Sequence, residues 1–255
     1  MSGRTRDWDA ATYDRVSRDV QVEWAREVLE RLELRGDETV LDAGCGSGRV
    51  TAMLLERLPR GHVVAVDGAP SMVERAREAL GERATVILSD LLELELDEPV
   101  DACFSNAVFH WVPDHERLYR RLAAALKPGA RLIAQYGGEG NVARFTRVAN
   151  GVLAREPYAS RSRPLAGAWN FSGPEYARTA ATAAGFTDVE AWLEDRPMRP
   201  AEPLAFIRSV CLGPYLEHLD ADLHERFVGD VARELGDPIE IDYVRLNVSA
   251  RKEPR

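Results

Sequence analysis

The chain has 255 residues, 45% of them hydrophobic and 29% charged, which is long enough for one α/β domain with a full core. Its formal net charge of −9 argues against a nucleic-acid partner, because affinity for phosphate backbones depends on Lys and Arg. Three widely separated cysteines argue against a zinc site, and no apolar run approaches the roughly 18 residues of a membrane span or forms a signal-peptide core. We therefore expect a cytoplasmic protein without a metal or a membrane segment.

The first residues carry two patterns. An aromatic-rich stretch, Trp8 to Asp14, holds Trp8 and Tyr13 between acidic residues. Behind it, apolar residues at helical spacing predict a helix from Gln21 to Leu34. The two aromatic residues either anchor this helix or belong to a segment that folds over a ligand.

The most informative stretch, residues 39–58, predicts a strand, a tight turn and a helix. An apolar run ends at Asp42, passes through three glycines and enters a helical pattern; the glycines are Gly44, Gly46 and Gly48. Glycine adopts backbone angles closed to other residues and lets a ligand lie against the main chain. The spacing G-x-G-x-G behind an acid differs from the G-x-G-x-x-G of dinucleotide-binding turns. This pattern predicts a nucleotide-binding turn for a different ligand.

Residues 42–48, Asp-Ala-Gly-Cys-Gly-Ser-Gly, resemble the first motif of class I S-adenosylmethionine (SAM) dependent methyltransferases. The resemblance implies SAM as the cofactor, which has no phosphate and whose positive amino group suits a nearby acid. It also implies that the segment from Trp8 to Asp14 forms a lid over the cofactor. The turn residues expected to bind SAM are Asp42, Gly44, Cys45, Gly46 and Gly48.

The next two strands add candidate cofactor residues. The apolar run 62–67 is typical of a buried parallel strand, and Asp67 lies about 20 residues past the glycines, where a carboxylate can accept bonds from ribose hydroxyls. The resemblance implies that Met72 packs on the adenine and that Asp90, after the strand 85–88, accepts its amino group. Met72 could equally belong to a helix core, and Asp90 could cap a turn. Neighbouring residues included in the predicted site are Gly68, Ser89 and Leu91.

The fourth strand, 99–106, leads to the predicted boundary between cofactor and substrate. Ligands bind at the carboxyl ends of parallel strands, so Asn106, Ala107 and Trp111 are further cofactor candidates. The Phe-His-Trp run at 109–111 resembles small-molecule methyltransferases of the trans-aconitate and malonyl-carrier-protein type. His110 is the candidate general base for an acceptor that must lose a proton, and the alternative is a structural hydrogen-bonding histidine.

The remaining elements complete the expected fold. Helical and strand patterns alternate to a strand at 131–136, and late strands are predicted at 186–193 and 239–250. The family resemblance implies a Rossmann-like α/β sheet of seven mostly parallel strands in the order 3-2-1-4-5-7-6, with strand 7 antiparallel and helices on both faces. We expect a single domain over residues 1–255. Its expected parts are an N-terminal lid and helix (1–36), a SAM-binding core (37–136) and helical cap insertions (137–172 and 200–236).

The cap is predicted to cover a small-molecule acceptor. Because arginine binds carboxylates through two hydrogen bonds and aromatic residues fill apolar pockets, a small carboxylate is the expected acceptor. The residues predicted to bind it are Tyr136, Arg144, Arg147, Arg161, Arg163 and Trp169, with Phe171 nearby. The alternative for each arginine is a solvated surface charge.

Three other functions compete with this interpretation. The acceptor could be a hydroxyl or an amine of another metabolite. An NAD(P)-linked oxidoreductase would share the first strand, turn and Asp67, although the glycine spacing disfavours it. A binding protein could also keep the fold without catalysis, because fold alone does not determine function.

Overall fold

A seven-stranded sheet forms the centre of the molecule, and a computed structural model describes residues 22–165 and 169–254. The strand order is 3-2-1-4-5-7-6. Strands 1 to 5 pair in parallel, and the seventh strand runs antiparallel to both the fifth and the sixth. The predicted fold class and strand order are therefore confirmed.

Helices alternate with the strands and cover the sheet. The first described helix, α1, spans residues 22–30. The strands are β1 (Thr39–Ala43), β2 (His62–Asp67), β3 (Ala84–Leu88), β4 (Val100–Asn106), β5 (Leu126–Gly137), β6 (Phe186–Asp195) and β7 (Val244–Lys252). The other α-helices are α2 (Arg49–Glu56), α3 (Pro70–Leu80), α4 (His115–Ala125), α5 (Ala143–Leu153), α6 (Pro174–Ala183), α7 (Pro203–Phe206), α8 (Gly213–Leu216) and α9 (His224–Leu235).

The parallel strands end at one edge of the sheet, which we call the carboxyl edge. Its residues are the last ones of β1 to β5: Ala43, Asp67, Leu88, Asn106 and Gly137. Because β7 is antiparallel, its first residues also reach this edge. Side chains far apart in the sequence therefore meet there.

Three hydrophobic clusters hold the structure together. Two of them cover the two faces of the sheet; one includes α4 and α6, and the other includes α1, α2 and α3. The third lies in the cap, which we define as residues 141–165, 169–172 and 203–243. Its buried side chains include Phe145, Tyr158, Tyr215 and Phe227. The cap thus has an apolar core of its own.

Element boundaries differ from the sequence expectations in the second half of the chain. The expected helical insertion at 200–236 contains α7 and α8, joined by a π-helical turn at Ile207–Cys211, followed by α9. The last strand begins at Val244 rather than 239, because residue Ile241 forms only an isolated bridge with Met198. These differences arise where contacts between distant residues select the backbone conformation.

Two structural features that are relevant to the expected function are absent from the described residues. No helix there is both long enough and apolar enough to cross a lipid bilayer. No group of three or more His, Cys, Asp or Glu side chains in the same ranges could hold a metal ion.

Candidate active site

The glycine turn between β1 and α2 forms the first part of the site. Its backbone is held by two hydrogen bonds, from the Gly44 and Cys45 N–H groups to the Val66 carbonyl at 2.8 and 2.9 Å. Gly44, Gly46 and Gly48 all have positive φ angles, of 94°, 54° and 83°. A Cβ at Gly44 would lie 2.2 Å from Val108, whereas a Cβ at Gly46 would meet nothing within 4 Å. Gly44 is therefore required for packing, and Gly46 borders open space.

Asp42 lies behind the turn and is buried. Its Oδ2 accepts a hydrogen bond of 2.6 Å from the Thr51 hydroxyl of α2. Burial, with a smaller contribution from the negative charge of Asp67, raises the pKa of Asp42 to about 7. Because its donor is a neutral hydroxyl, a positive charge nearby would favour the ionised form of this acid. Cys45 is also buried, which raises the pKa of its thiol and keeps it protonated.

Asp67 ends β2 and faces the turn. Its Oδ2 accepts a 2.9 Å bond from the Gly46 N–H, and its Oδ1 accepts a 2.9 Å bond from the Ala69 N–H. Burial raises the pKa of Asp67, while these backbone donors and that of Gly68 lower it. The structure thus brings Asp67 to the glycine turn, as its spacing in the sequence predicted.

The residues expected near the adenine follow β2 and β3. Met72 is buried in the first turn of α3. Asp90 is exposed, and its Oδ1 accepts a 2.9 Å bond from the Leu92 N–H, so it caps the short 3-10 turn that starts at Leu91. The Ser89 N–H donates to the Asp67 carbonyl at 3.0 Å, which holds this loop beside β2. The capping alternative for Asp90 is observed, and its adenine contact stays a prediction.

Asn106 and Ala107 mark the end of β4. Within residues 22–165 and 169–254, the buried Oδ1 atom of Asn106 accepts no hydrogen bond. Ala107 has a φ of 61°, which is uncommon for a residue other than glycine, and its N–H donates to the Gln135 carbonyl at 2.7 Å. A buried acceptor and a strained backbone at the carboxyl edge are features typical of a ligand site.

His110 is buried beside the end of β5. The Gly137 N–H donates to its Nδ1 at 3.3 Å, which assigns the ring proton to Nε2. Burial lowers the pKa of His110 well below its ordinary value, and the positive charge of Arg245 lowers it further. His110 is therefore neutral, and its one lone pair is engaged by the backbone. This arrangement suits a hydrogen-bond donor and argues against the general-base role.

Aromatic side chains from the cap pack next to His110. The ring centroids of His110 and Phe171 are 5.9 Å apart, and those of Trp111 and Trp169 are 6.0 Å apart. Trp169 stacks on Phe171 at 5.7 Å. The Asn170 N–H donates to the His110 carbonyl at 2.8 Å. The structure thus brings the predicted residues Trp111 and Trp169 together where the cap meets the end of β4.

The predicted acceptor residues Tyr136 and the four arginines do not assemble beside these aromatic residues. Tyr136 is fully buried in the core between the sheet and α4, with its hydroxyl 3.3 Å from Tyr119 and 3.4 Å from Ser172. Side chains alternate along a strand, so Tyr136 points to the face opposite its neighbours. Its expected place on the acceptor side is corrected.

The cap arginines serve other contacts. Arg161 binds Asp220 and Asp222 on the surface, at 2.8 and 2.6 Å. Arg144 and Arg163 donate to the backbone carbonyls of Leu235 and Glu217, at 2.9 and 2.5 Å, and Arg147 is exposed. Three of the four arginines therefore fasten the cap, which corrects the expectation that the four converge on a carboxylate.

One buried charge at this edge was missed. Arg245, the second residue of β7, is 3% exposed and pairs with Gly137 across the sheet. Its guanidinium carbon lies 5.2 Å from the ring centroid of Trp24 in α1. The expected lid residues Trp8 and Tyr13 lie outside the described residues.

Comparisons with known proteins agree with this site. A methyltransferase-domain family matches residues 40–129. The chain is 33% identical over 254 residues to the trans-aconitate 2-methyltransferase of Variovorax paradoxus, with 94% of each chain covered. It is 33% identical over 230 residues to the enzyme of the same name from an Azoarcus species, covering 87% of this chain and 86% of that one.

Solved structures share the fold at lower identity. The YcgJ protein of Bacillus subtilis has a TM-score of 0.66 and 16% identity, covering 91% of this chain and 99% of that one. Phosphoethanolamine N-methyltransferase 2 of Haemonchus contortus, in complex with SAM, has a TM-score of 0.62 and 21% identity, covering 96% and 57%. At these identities the likeness shows the fold alone, so activity must be argued from the site.

Proposed function

The chain belongs to the class I SAM-dependent methyltransferases, and we propose that it transfers the methyl group of SAM to a carboxylate of a small polycarboxylic acid such as trans-aconitate. The observation that carries the proposal is the extent of the match to the Variovorax relative, 94% of both chains. The methyltransferase-domain family covers only residues 40–129, whereas this match also includes the cap and the late strands. A shared cap supports a shared class of acceptor.

The carboxyl edge fits the cofactor. Gly46 borders open space, the Oδ2 atom of Asp67 accepts a hydrogen bond from its N–H, and Asn106 has a buried acceptor atom. We assign the ribose to Asp67, the methionine part to the turn from Asp42 to Gly48, and the adenine to the loop at Met72 and Asp90. SAM supplies an electrophilic methyl group on its sulfonium. The residues of this chain therefore have only to bind and orient both reactants.

A carboxylate acceptor suits the residues near the end of β4. A carboxylate is ionised at neutral pH and needs no base, which agrees with a neutral His110 whose Nδ1 is engaged by Gly137. The His110 Nε2–H can donate to an acceptor oxygen. The rings of Trp111, Trp169 and Phe171 exclude water from the approach.

The alternative functions can be distinguished by the product of the reaction. Membership in the methyltransferase family sets the oxidoreductase aside, and the glycine spacing agrees with that. A hydroxyl or amine acceptor would give an ether or a methylamine, which are stable in mild alkali. A carboxylate acceptor gives a methyl ester, which mild alkali hydrolyses to methanol.

The test is a methyl-transfer assay with labelled SAM and a panel of acceptors. The panel contains trans-aconitate, other di- and tricarboxylic acids, a phenol and an amine, with the Asp67→Ala variant as the control for cofactor dependence. We expect an alkali-labile labelled ester from a polycarboxylic acid. Transfer to the phenol or amine alone would contradict the proposal. Binding of SAM without transfer to any acceptor would instead support a protein that keeps the fold without catalysis.

A further inference from the structure

Two side-chain oxygens without hydrogen-bond partners lie on neighbouring strands at the carboxyl edge. They are Asn106 Oδ1, at the end of β4, and Gln135 Oε1, in β5; both atoms are buried and accept no hydrogen bond within the described residues. Asn106 and Gln135 are paired in the sheet, so their side chains leave from adjacent positions on the same face. A buried acceptor without a hydrogen bond is destabilising, so two adjacent ones indicate a ligand with more than one donor.

The hydrogen bonds of β7 determine the orientation of the Gln135 amide. Gln135 is 2% exposed, and its Nε2 donates to Asn247 Oδ1 at 2.8 Å. The same oxygen accepts a 2.6 Å bond from Arg31, whose guanidinium has only donors, so the atom that Gln135 presents to it is the nitrogen. Because the oxygen and nitrogen of an amide diverge from one carbon, Gln135 Oε1 is directed away from Asn247. The unpartnered atom of Gln135 is therefore an acceptor.

The position of Asn106 and Gln135 in the sheet decides which part of SAM can reach them. In the strand order 3-2-1-4-5-7-6, β4 and β5 lie two and three strands away from β2, which ends at Asp67. With strands about 4.8 Å apart, the two amides lie about 10 to 14 Å from the proposed ribose site. The adenine is assigned to the loops after β2 and β3, on the opposite side of the ribose. The methionine part, with its ammonium group, is therefore the one that extends toward β4 and β5.

The charge on the β1 side of these amides favours a cation. Asn106 shares its face of β4 with Phe104, which is paired with Asp42 of β1. The carboxyl group of Asp42 therefore lies on the same face, where it accepts a 2.6 Å bond from the neutral Thr51 hydroxyl. The buried cation Arg245 lies in β7, on the other side of Gln135. Two amide oxygens beside a carboxyl group favour an ammonium group and disfavour a carboxylate.

We propose that Gln135 is a cofactor-binding residue, and that its Oε1 and Asn106 Oδ1 both accept hydrogen bonds from the ammonium group of the methionine part of SAM. This inference rests on SAM as the cofactor of the proposed function and does not depend on the identity of the acceptor. An ammonium group has three N–H donors, and the two amides take two of them. Since the ribose is held at β2 and the ammonium at β4 and β5, the sulfonium between them is held in place and its methyl group is oriented.

The test measures binding of S-adenosylhomocysteine (SAH) and of deamino-SAH, the analogue in which hydrogen replaces the α-amino group. Gln135→Met removes the acceptor at similar side-chain length, and Asn106→Asp keeps an acceptor but cannot donate when ionised. The matched control is Asn141→Ala. Asn141 is also a buried amide, just after β5, but its Oδ1 already accepts the Val244 N–H at 2.8 Å. Calorimetry gives both affinities, and Tm reports the stability of each variant.

We expect the wild type to bind SAH at least about tenfold more tightly than deamino-SAH. Gln135→Met should weaken SAH binding by about tenfold and leave deamino-SAH within about twofold of wild type, so the preference for the amino group should shrink. Asn106→Asp should keep the preference, because its oxygens still accept from the ammonium. Asn141→Ala should lower Tm while the preference is kept.

Several results would contradict the inference or its basis. Unchanged SAH affinity in Gln135→Met would overturn it. Equal losses for SAH and deamino-SAH in that variant would also overturn it, because Gln135 would then only support β5 and β7 through Asn247. A lost preference in Asn106→Asp would show that Asn106 is a donor and would remove it from the ammonium site. A wild type that binds neither ligand would overturn the proposed function itself.

Discussion

The carboxyl edge and the cap use acidic side chains in opposite ways. At the carboxyl edge, Asp42 and Asp67 accept hydrogen bonds from a hydroxyl and from backbone N–H groups, and burial raises the pKa of both. In the cap, Asp222 is exposed and binds Arg161, which lowers its pKa. A carboxylate that accepts hydrogen bonds only from neutral donors can still attract a ligand. A carboxylate already paired with an arginine has a structural role.

The arginines of the two regions differ in their burial. Arg161 is paired on the surface of the cap, and Arg245 is buried on an aromatic ring at the carboxyl edge. A charge that is costly to bury is more informative about function than an exposed one. Asp67 and Gly46 of the carboxyl edge are each compared below with a matched residue elsewhere.

The largest effect is expected at Gly44. In Gly44→Ala the new Cβ would lie 2.2 Å from Val108, and the φ of 94° would be strained, so the free energy of unfolding should fall by about 2 to 5 kcal/mol. Urea unfolding measures this. Combining it with Val108→Ala should restore part of the loss, and additive losses in the double variant would contradict the packing explanation.

Asp67→Ala should weaken SAH binding by about 1 to 3 kcal/mol through loss of charge-assisted ribose bonds. Its control is Asp101→Ala, since Asp101 also accepts a backbone N–H bond, from Thr39 at 2.9 Å, but lies in the part of β4 away from the carboxyl edge. Calorimetry should show lost affinity only for Asp67→Ala. Binding of NADH by the wild type without binding of SAH would contradict the cofactor assignment.

Gly46→Ala should weaken SAH binding by about tenfold, because its Cβ would enter the open space next to Asp67. Gly129→Ala is the matched control. Gly129 also has a positive φ, of 78°, and a Cβ there would likewise meet nothing within 4 Å, but it lies near the start of β5. Both variants should lose similar stability, about 1 to 2 kcal/mol. Equal SAH affinity in the two would contradict a cofactor at Gly46.

The raised pKa of Asp42, about 7, predicts a pH-dependent stability. Because the folded protein holds this proton more tightly than the unfolded chain, stability should fall as pH rises from about 4 to about 7 and should level off above. Asp42→Asn should reduce the slope of the free energy of unfolding against pH by at most about 1.4 kcal/mol per pH unit. A residual slope from Asp67 should remain. Identical slopes in the two proteins, measured by urea unfolding from about pH 5 to about pH 8, would refute this.

The smallest effect is expected for Arg161→Gln. Its partners Asp220 and Asp222 lie in the cap, so KM for the acceptor and SAH affinity should stay within about twofold of wild type. Steady-state kinetics and calorimetry, with Asp67→Ala measured beside it, provide the comparison. A loss of acceptor affinity of about tenfold or more would indicate that the cap arginines bind the acceptor.

Local patterns in the sequence predict the cofactor side well. The glycine turn follows a buried strand, Asp67 and Asn106 each end one, and parallel strands bring their ends together whatever their separation in the sequence. The strand order follows from the family resemblance and is confirmed. The individual cofactor contacts stay predictions.

The rest of the carboxyl edge depends on contacts that the sequence does not reveal. Arg245 alternates with Val244 and Leu246, so its face of β7 looks like a solvent face, but α1 covers it through contacts such as Arg31 to Asn247, which are 216 residues apart. The expected position of Tyr136 is wrong for a related reason. The direction in which a side chain points at the end of a strand depends on the register of that strand. The sequence signal that could have identified Arg245 is a charged residue between apolar residues in the predicted last strand.

The most direct test is a crystal structure of the chain with SAH and trans-aconitate bound together. The account predicts the ribose hydroxyls on the Asp67 carboxylate, and the acceptor beside Trp111 and Trp169 with one of its carboxylates facing the sulfur. An acceptor bound to Arg161 or Arg163 on the cap, or SAH bound away from Gly46 and Asp67, would contradict it.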